Sequence, residues 1–179
     1  MKKLRLLPLA IALIAIIGCD LIDKVNDAKT IDIPTEVFRK IPVAVAEDDE
    51  GKLVNEPFYI LAEDNPDIAD YLADVNAITV QRVYLTVEDY LGDPGITFTG
   101  SVSMENGMVN IPLTTFQPSL YTGGNSLEVT LNSGALLILN EAMTERWAIQ
   151  GTVSGTVSDK PVSFTIVVWV EVVAEAEVG

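Results

Sequence analysis

The chain has 179 residues, 26 acidic against 11 basic side chains and a formal net charge of −15, an excess that nucleic acid and anionic lipid headgroups would repel. It contains no histidine, which removes Ser-His-Asp and Cys-His nucleophilic sites, histidine general bases and the usual zinc, copper or haem ligation. Neither GxxxxGK nor GxGxxG occurs, so a phosphate-cradling glycine loop is excluded as well.

Met1-Lys2-Lys3-Leu4-Arg5 is a short cationic start, and the stretch from Leu6 to Ile17 is apolar throughout, with Pro8 inside it. That run is well short of the ~18–20 residues that cross a bilayer and has the length of an export signal's apolar region. It ends at Cys19, the only cysteine in the chain. Ile16, Ile17, Gly18 and Cys19 resemble a lipobox, the signature of bacterial lipoproteins. The resemblance covers residues 1–19 alone. It implies cleavage before Cys19 by the lipoprotein signal peptidase, with palmitate among the acyl chains then carried by Cys19. Two or three such chains, at about 0.8 kcal/mol per buried CH₂, would hold the protein to a membrane essentially permanently. Asp20 resembles an inner-membrane retention signal of some Gram-negative lineages, and the choice of membrane stays open. Losing Lys2, Lys3 and Arg5 with the signal leaves 8 of the 11 basic side chains against 26 acidic ones, a net charge of −18. With Cys19 acylated no disulfide can form, so the core must supply stability unaided.

The expected organisation is a signal peptide over 1–18, a lipidated tether over 19–29 and a single β-sandwich domain over 30–179. Thr30 to Val45 is rich in β-branched residues and broken by Pro34 and Pro42, which predicts two short strands near 30–33 and 36–46. A charged turn follows at Glu47-Asp48-Asp49-Glu50-Gly51, then a short strand from Phe58 to Leu61. Asn65 can cap a helix that has Pro66 at its first position and Ile68, Tyr71, Leu72 and Val75 on one face, ending near Val75. Ile78 to Tyr90 alternates as a long strand whose parity changes at Gln81-Arg82, the mark of a bulge.

Asn106-Gly107 predicts a tight hairpin, because both turn positions need positive φ. Counting outward pairs Met104 with Val109, Ser103 with Asn110, Val102 with Ile111 and Gly100 with Leu113, and pairing should loosen at Pro112. Gln117 to Asn125 reads as a loop and Leu127 to Leu131 as a strand. A helix from Ser133 to Arg146 is predicted next, capped by Asn132 or Ser133. Its apolar arc is Ala135, Leu136, Ile138, Leu139, Ala142 and Met143, opposite Asn140, Glu141, Thr144 and Glu145. The remaining residues predict a long hairpin turning at Asp159-Lys160, with Gly155 opposite Phe164, Val153 opposite Ile166 and Gly151 opposite Val168. Trp169 is expected beneath the second helix or the facing sheet. The whole describes an all-β sandwich of about eight or nine mostly antiparallel strands with two short helices. That layout loosely resembles the β-sandwich ectodomains of bacterial envelope lipoproteins.

Few residues suggest chemistry. Asp64, Asp67 and Asp70, with Glu63 and Asn65, offer oxygen ligands of the kind calcium prefers, but their spacing is not that of an EF-hand loop. Glu88, Asp89 and Asp93 could pair as glycosidase carboxylates, although close pairs arise by chance in so acidic a chain. Tyr59, Tyr84, Tyr90, Tyr121, Trp147 and Trp169 could include a sugar-stacking platform. Tyr90 and Tyr121 lie at loop ends and are the ligand-binding candidates. No cofactor is implied. The expected function is a non-catalytic, lipid-anchored binding module of the cell envelope, working outside the cytoplasm. Its partner would be an envelope protein or a surface polymer, and not nucleic acid. The alternative is a carrier or sensor of an apolar ligand.

Overall fold

A computed structural model describes residues 29–48 and 53–178, so the lipobox and tether, Cys19 among them, lie outside the described residues. Eight strands form: β1 (Lys29–Val45), β2 (Leu53–Leu61), β3 (Val75–Leu91), β4 (Phe98–Met104), β5 (Val109–Phe116), β6 (Leu127–Val129), β7 (Ala148–Val157) and β8 (Val162–Val178). They sort into two four-stranded antiparallel sheets, ordered β1-β8-β3-β6 and β2-β7-β4-β5. The chain changes sheet at every connection except that between β4 and β5, and the resulting order is that of a jelly roll, two interlocked Greek keys.

The Asn106-Gly107 hairpin has the predicted register, with Met104 on Val109, Val102 on Ile111 and Gly100 on Leu113. Pro112 stays within the ladder opposite Ser101, and the irregularity falls instead between Phe98 and Gly100. The parity change at Gln81-Arg82 is a register shift between Val80 and Arg82, as expected of a bulge. β1 is one strand, where two were expected. It is an edge strand with β8 as its ladder partner, and an edge tolerates the donors that Pro34 and Pro42 lack.

The expected hairpin between the last two strands does not form. β7 pairs with β2 and β4, whereas β8 pairs with β1 and β3 in the opposite sheet. Gly151 and Gly155 do face large side chains, but those come from β2 and β4. A Cβ on Gly151 would stand 2.3 Å from Phe58 Cζ, and one on Gly155 2.6 Å from Phe98 Cζ. Phe98 meets Phe164 of the facing sheet edge-on, with ring centroids 6.3 Å apart. Around that contact the inward residues of both sheets, such as Ile41, Leu85, Val102, Val153 and Val168, close one core.

Helix α1 (Pro66–Ala69) has the expected cap, Asn65 Oδ1 accepting from Asp67 N at 2.8 Å, but it stops well before Val75. The Asp74 carbonyl instead accepts from Glu177 N at 2.9 Å, and Val75 already belongs to β3. Helix α2 (Ser133–Arg146) matches its predicted span, capped by Asn132 Oδ1 on Ala135 N and buried through Leu139, Ala142 and Met143. Asn140 and Thr144 do not face solvent as its pattern suggested. β6 covers only Val83 to Leu85 of β3, and beyond it Asn140 Oδ1 accepts from Val80 N at 2.7 Å while Thr144 Oγ1 bonds Ile78 N and O. Two helix side chains thus satisfy a strand edge where the neighbouring strand has ended.

Lys29 pairs with Val178, so the start of β1 and the end of β8 share one end of the sandwich. The opposite end gathers the connections 92–97, 117–126 and 158–161. They are tied together there: Gln117 Nε2 and Ser119 Oγ both donate to Pro94 O, and Ser158 N donates to Thr97 O at 2.8 Å.

Candidate functional site

The outward face of the β1-β8-β3-β6 sheet carries polar and aromatic residues in register across the strands. One row joins Phe38, Trp169 and Tyr84. Trp169 lies 4.5 Å from Phe38 and 5.8 Å from Tyr84 by ring centroid, nearly parallel to the latter. Its indole N–H donates to Thr86 Oγ1 at 2.9 Å. Trp169 therefore sits on the outer face of its sheet, not beneath the helix or the facing sheet, and Phe38 remains 42% exposed.

Ion pairs and hydrogen bonds brace this row by crossing β8. Tyr84 Oη donates to Glu36 Oε1 at 2.7 Å, and Lys40 Nζ donates to Glu88 Oε2 at 2.6 Å, each joining β3 to β1. Val167 lies in register beside Lys40 and is fully buried even though it points outward. Arg82 forks onto Glu171, with Nε 2.9 Å from Oε2, reaches Glu128 at 2.8 Å and stands over the Tyr84 ring. Burial, then the Glu36 hydrogen bond, hold the Tyr84 hydroxyl protonated far above the usual tyrosine range.

The Arg82 hydrogen bond holds the Glu171 carboxyl below its ordinary value of 4.5. A lowered folded-state pKa contributes stability that is complete above the ordinary value and is lost as pH falls through the lowered one. Glu171→Gln should therefore lower the urea midpoint more at neutral pH than at an acid pH below the carboxyl's ordinary value, where this contribution is being lost. Denaturation curves of both proteins at the two pH values check this.

Beside the aromatic row, the second half of β3 and the 119–126 loop enclose a groove of about 810 Å³. Tyr84, Thr86, Glu88, Asp89, Tyr90 and Trp169 line it from the strands, and Ser119, Thr122, Gly123, Gly124 and Ser126 from the loop. Asp89 enters at a register shift between Glu88 and Leu91, with φ of 52°. Gly123 and Gly124 both have positive φ, and a Cβ on either would meet nothing within 4 Å. The loop is bare there for conformational reasons, and its backbone stays approachable.

The predicted site residues are divided by this geometry. Tyr90 lines the groove, its ring 6.2 Å from Phe164 and its hydroxyl donating to the Asp93 carbonyl. Burial, then Asp93, raise its hydroxyl pKa. Tyr121 instead lays its ring on Phe116, centroids 4.7 Å apart and planes 11° apart, as part of the core margin. Of the three paired-carboxylate candidates, Glu88 is bound to Lys40, and Asp93 Oδ1 closes its own turn by accepting from Gly95 N at 2.7 Å.

The calcium candidates lie elsewhere. Asp64 ends a short 3₁₀ turn, Asp67 accepts from the Thr35 hydroxyl at 3.1 Å, and Asp70 follows α1. Among the described residues no group of three or more acidic or cysteine side chains is placed to hold a metal ion. Asp64, Asn65 and Pro66 instead form one wall of a second groove, of about 360 Å³, against Glu36, Phe38 and Lys40.

Phe38 is not among the aromatic candidates of the sequence, whereas Tyr84 and Trp169 are, Trp169 with a place expected beneath the second helix or the facing sheet. Outward alternation on β1 is the local signal for Phe38, but its meeting with Trp169 depends on pairing between the two ends of the chain.

No protein-family model matches the chain, and no curated protein matches it. Among solved structures, it is similar to the decameric BFDV capsid protein at 10% identity and a TM-score of 0.40, over 82% of this chain and 100% of that one. It is also similar to a structure of desmodium yellow mottle tymovirus at 8% identity and a TM-score of 0.34, over 86% of this chain and 85% of that one.

Proposed function

We propose that this chain is a lipid-anchored lipoprotein of the cell envelope, held through Cys19, whose sandwich is a non-catalytic binding module. The observation that carries the binding role is the groove beside the aromatic row. At about 810 Å³ it has the size of a ligand site, and it combines fixed aromatic walls with a few polar groups. The anchor is supported by the lone cysteine directly after a short apolar run. The two parts agree in geometry. The groove is level, across β8, with the stretch of β1 from Phe38 to Pro42, roughly 30–40 Å along the strand from Lys29. A domain leashed by residues 19–29 would turn that groove away from the bilayer.

Cys19→Ala should lose the acyl mass and leave the detergent phase in phase partitioning. A variant that stays there like the parent would overturn the anchor. Native mass spectrometry of the lipidated protein, extracted gently from its own membrane, tests the binding role. A co-purifying protein or polymer is the expected result. A retained small apolar mass would replace this reading with that of a carrier.

A further inference from the structure

We infer that the groove is a saccharide site, selective for sugars without acidic groups and favouring an amine-bearing sugar at Asp89. The inference rests on the binding role proposed above and names its ligand class.

A sugar ring has C–H faces that pack on aromatic carbon and a rim of hydroxyls that need donors and acceptors. The groove offers both. Tyr84 and Tyr90 have already committed their hydroxyls, to Glu36 and to the Asp93 carbonyl, so what they present is ring carbon held in fixed position, for Tyr84 only the part that Arg82 and Trp169 leave uncovered. Trp169 is held in the same way by its indole bond to Thr86. Across from these rings Ser126 supplies a hydroxyl, and Ser119 and Thr122 offer hydroxyl oxygens as acceptors, their hydrogens already donated to the Pro94 and Ser119 carbonyls, bonds that also brace the short loop. Walls fixed before binding leave little ordering cost for the ligand to meet.

Charge selects within the class. Among the described residues, Glu88 and Asp89 are the only charged side chains that line the groove, and both are acidic. Lys40 is hydrogen-bonded to Glu88 and attracted to Asp89 at longer range, which leaves Asp89 as the groove carboxylate whose charge is only partly offset. A uronate or a phosphorylated sugar would meet like charge here, whereas an ammonium group would meet its complement. The backbone of Asp89 is in the left-handed region at a bulge, and the residue is exposed and lines the groove where regular alternation after buried Val87 and outward Glu88 would turn it inward.

The test uses the full acylated chain in detergent, titrated with three probes: tetramers of glucosamine, of N-acetylglucosamine and of galacturonic acid. Tryptophan emission and calorimetry are read together, and Trp147→Phe isolates the signal of Trp169. The glucosamine tetramer should bind tightest, the N-acetylated one more weakly, and the uronate not at all. Asp89→Asn should weaken the glucosamine tetramer roughly tenfold and leave the N-acetylated one within about twofold, the pattern of one lost charge-assisted bond. Equal binding of the uronate, or an Asp89→Asn protein that behaves as wild type toward glucosamine, would overturn the charge selection. Binding of none of the three would overturn the saccharide assignment. If a protein nevertheless co-purifies from the membrane, the binding module stands and only its ligand class is wrong.

Discussion

Gly100→Ala should destabilise the sandwich by about 3 kcal/mol, the upper end of what one methyl group costs in a packed interior. The added Cβ would stand 2.1 Å from the Ser154 carbonyl oxygen and 2.6 Å from Gly155 Cα. Both obstacles are backbone, so no rotamer change relieves them. β7 would have to move away from β4 along the ladder where Gly100 faces Gly155, and β7 is held on its other side by β2. The Phe98 ring, 2.9 Å from the same point, blocks escape toward the core. Urea denaturation is the measurement: a fall in the midpoint with an unchanged slope would report the loss of stability without a change of fold. A midpoint within error of wild type would mean that the two strands are not as close as described.

The second large effect is expected at Glu105, the buried charged side chain of the described core, 3% exposed. It sits in the turn between β4 and β5 at φ of 51° and closes a bond pair with Gln150. Its N–H donates to Gln150 O at 3.0 Å, and its Oε1 accepts from Gln150 N at 3.0 Å. The other carboxylate oxygen receives Arg146 at the end of α2. The hairpin tip, the helix terminus and the first residues of β7 therefore meet on one carboxylate. Glu105→Ala should cost about 2–3 kcal/mol, because the part-buried Gln150 N–H is left without its acceptor and a charge-assisted bond disappears. Glu105→Gln keeps an oxygen for Gln150 N and should cost less than half of that. Thermal melts of the two variants separate the contributions: equal losses would mean that charge, and not the acceptor, holds the junction.

Features that depend on near neighbours are legible in the amino-acid order. The Asn106-Gly107 turn places every pair from Met104 to Gly100 by counting, and Asn132 marks the start of α2 because its cap lies three residues away. The error over β7 and β8 has the opposite cause. Gly151 and Gly155 do require large side chains over them, but alternation is equally satisfied by β8 and by any other strand with the same parity. Phe58 and Phe98 fill the spaces from strands distant in sequence, and a jelly roll sends nearly every successive strand to the other sheet. The groove is hidden for a related reason. Tyr90 can be suspected from its place at a loop end, yet the row of Phe38, Trp169 and Tyr84 exists only once β8 lies between β1 and β3. Tyr121 carries the same local signal as Tyr90 and goes to Phe116, because its turn folds back on the end of β5.

The pairing of Lys29 with Val178 begins a ladder that follows β1 through all 17 of its residues. Were the chain anchored and gripped as proposed, it would be pulled along the direction of its strands. Antiparallel hydrogen bonds lie perpendicular to the strands, so such a load shears the whole ladder at once instead of opening it one bond at a time. Under the proposed anchoring and binding, the first strand would be the part of the fold best placed to bear tension.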